Sequence, residues 1–429
     1  MASGKTDSFD IAIIGAGAAG MAAAIFAAEA DHGRGLRIVL IEGAKKPGAK
    51  ILVSGGGRCN VTNQSVSEKD FWGGSRAVIR NVLREFDETR TLAWFEAMGV
   101  RLKCEPTGKY FPVTNQARTV LDALLHRLEV LGVSLWTGSR VSGLTPSADG
   151  IEVVLADGQR VRARKVIIAT GGLALPKSGS DGLGLSLMQR LGHTIIPTTP
   201  ALTPLVLKTS RLLGGRFAEF AGVSMEARLR LERGPHRKVV IELTGSLLFT
   251  HFGLSGPVAM DLSRHWLRER LLYPKEPLTV AVGIPRFARV EESDRWLLDQ
   301  CNVYPRRLLS RTLSELLPVR LAMAVAQQGG PDIVSSQLDA KKRAIVASML
   351  AEMPVEVTGT RDYSDAEATA GGVDLAEVDW RTMQSRRVPN LHLCGEILDV
   401  DGRIGGYNFQ WAWASGHLAG RGASVALQQ

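Results

Sequence analysis

The sequence predicts an α/β fold: a domain of alternating strands and helices, assembled from both ends of the chain and interrupted by an insert of different texture. Three observations predict it. The first sixty residues read as a strand, a glycine turn, a helix and a second strand. A later apolar strand, Val166–Ala169, follows several short segments and ends in Thr170-Gly171-Gly172. From about Pro197 the pattern turns β-rich and then helical, before Gly-rich turns return in the last seventy residues.

Taken in order, the run Phe9–Ile14 is apolar apart from Asp10 and leads straight into GAGAAG, Gly15 to Gly20. At these spacings Gly15 permits a tight turn and Gly17 a close approach of backbone to a pyrophosphate. Gly20 lets the next helix pack closely on the strand. The Ala-rich stretch Met21–Ala30 forms that helix, whose N-terminal N–H groups point at phosphates. Arg37–Ile41 reads as the second strand. Glu42 at its end sits about twenty residues beyond the last glycine, where a ribose hydroxyl needs an acceptor. Strand, turn, helix and acid together specify a site for an adenine dinucleotide.

Helical stretches follow over Ala77–Gly99 and Arg118–Leu131. Ser139–Thr145, Ile151–Leu155 and Arg160–Ala163 read as short strands separated by Asp149-Gly150 and Asp157-Gly158 turns. In the insert, Leu202–Leu207, Ser224–Leu231, Val239–Leu243 and Leu278–Val282 alternate as strands do. Residues from Glu291 to Met353 are helical in texture, punctuated by Pro305 and Pro318, with Leu338, Ile345, Met349 and Met353 on one helix face. The expected division is therefore 1–196 with 355–429 as the nucleotide-binding domain, 197–290 as a β-rich insert, and 291–354 as its helical part.

A chain of 429 residues has ample apolar surface for two or three domains. No run approaches the eighteen or so apolar residues of a membrane span. The N-terminus MASGKTDSFD has no hydrophobic signal region. Cys59, Cys104, Cys301 and Cys394 form no CxxC pair, which argues against a zinc site or a disulfide framework and points to a reducing cytoplasm. Net charge is +9, and the stretch Lys208–Lys238 holds eight bases (Lys208, Arg211, Arg216, Arg228, Arg230, Arg233, Arg237, Lys238) against three acids (Glu219, Glu226, Glu232). An Arg-rich face of this kind suits bidentate contact with phosphate, and nucleic acid is one partner it fits.

Four further segments carry chemistry. In SGGGRCNVTN, Ser54 to Asn63, three glycines expose backbone N–H groups and Arg58 adds a cation, so the loop can cradle phosphate or a flavin edge. IIATGG, Ile167 to Gly172, delivers Thr170 and Gly171 to a place where backbone passes close to a cofactor. The stretch Thr244 to Ser263 carries His251 just before the Gly253–Pro257 turn. Finally, Cys394 to Gly416 leads from an apolar strand through an acidic, Gly-rich loop to Gly405-Gly406 and a helix bearing Trp411 and Trp413. The positive N-terminus of that helix suits the pyrimidine end of a flavin.

With TAGGV (Thr369–Val373), TMQSR (Thr382–Arg386) and FTHFGLSGP added to these segments, the chain resembles the BaiN-like (YhiN-type) FAD-dependent oxidoreductases from about Phe9 to Gly420. The resemblance implies a glutathione-reductase-like Rossmann FAD domain built from both chain ends, with an inserted β-barrel plus helical domain. The implied cofactor contacts fall on Gly15, Gly17, Gly20, Glu42, Arg58, Cys59, Gly395, Glu396, Asp399 and Gly406. Where the family leads one to expect an aromatic residue or Thr near the flavin loop, this chain has Arg403-Ile404.

No second GxGxxG follows a strand, so NAD(P)H is expected as a transient reductant rather than a resident one. Substrate then takes hydride from reduced flavin, and Cys59, His251 and Tyr407 are the candidate proton donors. Activities in the family include reduction of a double bond in steroid-like bile acids and of uridine to dihydrouridine in 23S ribosomal RNA. Three readings stay open. An RNA reductase would use Arg228, Arg230 and Arg237 on phosphate, a reductase or oxidase of a small enoyl, steroid-like or amine substrate would not, and a flavin-carrying RNA-binding factor would not turn over.

Overall fold

The computed structural model describes residues 7–208 and 217–428; Arg211 and Arg216 of the basic stretch lie outside the described residues. The chain divides into two compact units, residues 1–199 with 367–429, and residues 200–366.

At the centre of the first unit lies strand β1 (Asp7–Ile14), where Ile11, Ala12 and Ile13 have no exposed surface. A strand buried on both faces needs a near-continuous apolar run, and Ile11–Ile14 supplies it. β1 pairs in parallel with β2 (Ile38–Ile41) on one side and with Arg160–Ile168 on the other. Ser134–Trp136 extends the parallel sheet beyond β2, and Leu391–Leu393 extends it beyond Arg160–Ile168, so strands from both chain ends share one sheet. Between β1 and β2 runs helix α1 (Ala18–Glu29). The C-terminal helix Tyr407–Val425 lies against α1 through small residues. A Cβ on Gly416 would stand 2.6 Å from Ala19 O, and one on Gly420 would stand 2.2 Å from Ala23 O.

Several expected elements change length here. The helical stretch expected over Ala77–Gly99 consists of two helices, Arg76–Glu85 and Glu88–Ala97, with Asp87 capping the second by accepting from Arg90 N–H at 2.8 Å. The segments Arg160–Ala163 and Val166–Ala169 form one continuous strand, paired with Gly150–Leu155 along its first half and with β1 along its whole length.

In the second unit, seven strands form one antiparallel sheet, in the order Met353–Val355, Leu278–Gly283, Ser224–Arg233, Lys238–Phe249, Gly253–Ser255, Leu205–Leu207, Val357–Thr360. The barrel expected for this insert does not close: among the described residues the two end strands adjoin in sequence but do not pair. The strand expected over Val239–Leu243 continues to Phe249, absorbing the start of the Thr244–Ser263 segment. Because Met353–Val355 and Val357–Thr360 belong to this sheet, residues 355–366 go with the second unit. Helices Pro257–Leu272, Val290–Val303, Leu309–Leu313, Val319–Ala326 and Ala340–Glu352 pack with it. Its core is separate, built on residues such as Phe249, Leu254, Trp296 and Leu350. No helix among the described residues is long and apolar enough to cross a membrane.

Candidate functional site

The glycine turn after β1 is built as its spacing requires. Gly15 holds φ +102°, and a Cβ there would stand 2.5 Å from Ala169 O. A Cβ on Gly20 would stand 1.8 Å from Gly15 O, so this glycine lets helix and turn touch. Gly17 is different in kind: a Cβ there would meet nothing within 4 Å. Gly17 also caps α1, and no side chain caps the helix, so its first N–H groups have no side-chain partner. Helix dipole and unpaired donors make that space suited to an anion.

Glu42 lies beside this turn, its two oxygens accepting from Ala16 N–H and Ala44 N–H, each at 2.8 Å. Helix α2 (Ala49–Gly57) begins next to it, with Gly48 N–H donating to Ala16 O at 3.0 Å. Its end is kinked at Ser54, Gly55 and Gly56, where the backbone leaves helical values and both glycines turn left-handed. Arg58 does not stand open to a phosphate: it donates to Glu105 at 2.7 Å and lies over the Phe111 ring at 3.9 Å. Cys59 has no exposed surface, and burial pushes its thiol up to about 12, so it keeps its proton.

The terminal helix ties the remaining segments together. Trp413 donates to Val61 O at 3.0 Å and Trp411 to Gly395 O at 3.2 Å. Gln410 accepts from Thr62 and Thr91 hydroxyls at 2.7 and 3.0 Å. Gly406 caps this helix with φ +94° and no side-chain cap, and a Cβ there would stand 2.7 Å from Thr62 O. Tyr407, the first helical residue, is buried with its ring edge-on to Phe71. Asp399 is buried too, its backbone N–H and C=O bonded to Val373 O and Gly74 N–H. Gly171 and Gly395 both need left-handed backbone, φ +75° and +79°.

Two contacts reach beyond what the residue patterns indicated. Glu396 is held by Lys50 Nζ at 2.5 Å and by Thr369 N–H at 2.9 Å. Thr369 Oγ1 in turn accepts from Leu173 and Ala174 N–H at 2.8 and 3.0 Å. Thr369 was visible only inside TAGGV, and Lys50 carried no signal of its own. His251 belongs to the second unit, exposed in the turn between Lys238–Phe249 and Gly253–Ser255.

The arginines expected on a phosphate-facing surface are engaged within their own unit. Arg228 is buried and donates to Glu242 at 2.9 Å and to Ala351 O at 2.8 Å. Arg230 bonds Glu242 and Glu352 at 2.8 and 2.6 Å, Arg233 bonds Glu269 at 2.7 Å, and Arg237 bonds Glu232 at 2.5 Å. Alternation along Ser224–Arg233 explains Arg228 and Arg230: both point from one face of a strand toward the carboxylate of Glu242 on its neighbour.

An FAD molecule fits the residues present in the first unit. Open space lies at Gly17 for the pyrophosphate. Two buried side-chain oxygens, Thr170 Oγ1 and Asn60 Oδ1, have no hydrogen-bond partner. Such atoms are costly unless a ligand or water satisfies them, and Asn60 Oδ1 lies 2.9 Å from where a Cβ on Gly406 would stand, beside the uncapped helix. A parallel sheet with this turn, this uncapped helix and these orphaned acceptors defines a dinucleotide-binding flavoprotein.

The chain matches the HI0933-like protein Rossmann domain over residues 9–422 and belongs to that family. It is 36% identical over 427 residues, 96% of this chain and 98% of the relative, to a 3-dehydro-bile acid delta(4,6)-reductase of Clostridium scindens. To a ribosomal RNA dihydrouridine synthase of Escherichia coli it is 34% identical over 410 residues, 95% of this chain and 96% of the relative. Among solved structures, its fold is similar to the quinol fumarate reductase subunit FrdA of E. coli (TM-score 0.51, 18% identity, 99% of this chain and 71% of that one). A similar likeness holds with a 3-ketosteroid delta1-dehydrogenase of Sterolibacterium denitrificans (TM-score 0.51, 13% identity, 98% and 100% covered). The protein is an FAD-dependent oxidoreductase.

Proposed function

We propose that the protein reduces a carbon–carbon double bond conjugated to a carbonyl, with NAD(P)H as a transient reductant and a uridine of 23S ribosomal RNA as its substrate. The observation behind this reading is that two relatives, matched over nearly the whole chain, are named for reactions of one chemical type. Making dihydrouridine saturates the uracil C5–C6 bond, and a delta(4,6)-reductase of a 3-oxo ring saturates a dienone. Each delivers hydride to the far end of a double bond conjugated to a carbonyl, the β carbon of uracil or of an enone and the δ carbon where the remote alkene of the dienone is reduced, and a proton to the neighbouring carbon. Bound FAD supplies the two-electron chemistry. Gly15, Gly17 and the start of α1 would hold its pyrophosphate, Glu42 a ribose, and Thr170, Asn60 and the Gly405-Gly406 turn its flavin end. A uracil substrate has to leave its stack to reach that end.

A second reading, a small enone substrate, is favoured by a specific observation: the insert arginines already carry carboxylate partners. Nucleoside mass spectrometry of ribosomal RNA, from cells with and without the gene, decides between them. Dihydrouridine that disappears with the gene and returns with it establishes the RNA substrate. An unchanged profile overturns it and moves the search to small enones, with NAD(P)H oxidation as the readout.

A further inference from the structure

With the paired arginines set aside, one end of the second unit still carries open cations, and they stand beside exposed apolar side chains. The strands Ser224–Arg233 and Lys238–Phe249 are joined there by a turn over residues 234–237. Helix Pro257–Leu272 ends at the same place and runs into residues 273–277. Arg233 ties the two segments together. It pairs with Glu269 at 2.7 Å and Glu276 at 3.2 Å, and its guanidinium lies 3.5 Å from the centre of the Tyr273 ring. The next residue, Gly234, donates its N–H to Pro277 O at 2.9 Å. The turn and the helix end therefore form one tip.

The surface of this tip joins two properties. Leu271 is 44% exposed, Leu272 61% and Tyr273 39%, three consecutive apolar residues left in water. The acids nearby already have partners: Glu269 and Glu276 pair with Arg233, and Glu232 pairs with Arg237. Lys238, which faces Arg233 across the strand pair, and Lys275 are exposed, and neither makes an ion pair among the described residues. His236 in the turn is exposed as well. Single exposed apolar residues are ordinary on a protein surface, whereas a run of them beside open cations marks a place of contact.

We propose that this tip docks the protein on an anionic membrane surface. Leu271, Leu272 and Tyr273 enter the boundary between headgroups and acyl chains, and Lys238 and Lys275 lie on lipid phosphates. The chemistry of the side chains selects this partner. A nucleic acid offers phosphate to the lysines but would leave the two leucines in water, and Arg233 already covers one face of the Tyr273 ring, closing it to a stacking base. A headgroup layer supplies phosphate and hydrocarbon within one contact. Attachment of this kind is reversible, because a few apolar anchors and two lysines hold far less firmly than a spanning helix. Neither substrate reading is needed for this docking, and neither is touched by its failure.

Co-sedimentation with vesicles tests it, using the full chain with FAD bound. Wild type is expected to sediment with phosphatidylcholine vesicles containing about one-third phosphatidylglycerol, and about tenfold less with pure phosphatidylcholine. Replacing both lysines, Lys238→Gln with Lys275→Gln, is expected to weaken binding to the anionic vesicles about 30-fold. Leu271→Ser with Leu272→Ser is expected to weaken it to a similar degree, about 30-fold. Both double variants replace exposed side chains, so their thermal unfolding should match wild type. Wild type that ignores anionic vesicles, or binding that both variants leave unchanged, overturns the proposal. Salt-sensitive binding to a 23S ribosomal RNA transcript that the lysine variant loses, with no protein on the vesicles, overturns it as well and gives the tip to nucleic acid.

Discussion

The polar groups described above are used differently in the two units. In the first, glycines remove side chains from the cradle, and Thr170 Oγ1 and Asn60 Oδ1 are buried without a partner. In the second, the guanidinium groups of Arg228, Arg230 and Arg233 find carboxylates across neighbouring strands and helices. An acceptor without a partner beside a glycine turn, such as Asn60 Oδ1 at Gly406, leaves a bond for a ligand to make, whereas paired charges hold a sheet together. Counting charge along a segment therefore overstates the field it presents to a partner. Net +5 between Lys208 and Lys238 includes Arg228, which is buried.

The comparison is broken most directly at Arg228. Arg228→Ala leaves Ala351 O without its donor and Glu242 short of one, and is expected to destabilise the second unit by about 3 kcal/mol. Denaturant unfolding measures it, and a loss below about 1 kcal/mol would return Arg228 to the role of a surface cation.

Acid should weaken both units. Burial holds His265 down at about 3 and His392 and His417 at about 4. Their folded pKa values lie below the unfolded one, so the unfolded chain takes up protons first. Stability is full above about pH 6.5 and falls as pH drops toward 4, by about 3 kcal/mol for His392 alone. Glu377, accepting from Arg387, Thr194 and His193, is held at about 2 despite its burial, and its contribution is lost as pH falls from about 4.3 toward 2. Unfolding free energies across this range, with His392→Gln flattening the upper part, check both signs.

Gly17 sharpens the contrast between open and filled space. Gly17→Val places its methyls where nothing now stands, and should weaken FAD binding on the order of 100-fold, about 2.7 kcal/mol, while apoprotein stability barely moves. Gly20→Ala should instead disrupt the turn, since its Cβ would collide with Gly15 O. Equilibrium dialysis of FAD beside thermal unfolding separates the two. The smallest expected effect is at Lys50. Its pair with Glu396 is about one-fifth exposed on each side, so Lys50→Met should raise the FAD Kd roughly five-fold, near 1 kcal/mol; Lys50→Arg should recover part of it.

Legibility followed distance along the chain. Gly15, Gly17, Gly20 and Glu42 were readable one by one because strand, turn, helix and acceptor lie within about forty residues, and each spacing has a single geometric use. The break at Asp87 needed the capping hydrogen bond to Arg90 N–H, which the helical texture of the segment does not locate. The open sheet of the insert went unread for a different reason. Closure depends on whether Met353–Val355 and Val357–Thr360 pair, and no local pattern encodes that.

By itself the sequence determined the glycine turn, the helix after it, the acid that ends the second strand and the family, since short-range periodicity and glycine sterics act within one βαβ unit. Only the tertiary structure decided which charges are paired, and with what. Lys50 meets Glu396 across 346 residues, and Arg228 meets Ala351 across 123. Desolvation and ion pairing depend on neighbours brought together by the whole fold, so a residue's chemistry is settled by its surroundings rather than by its place in the chain.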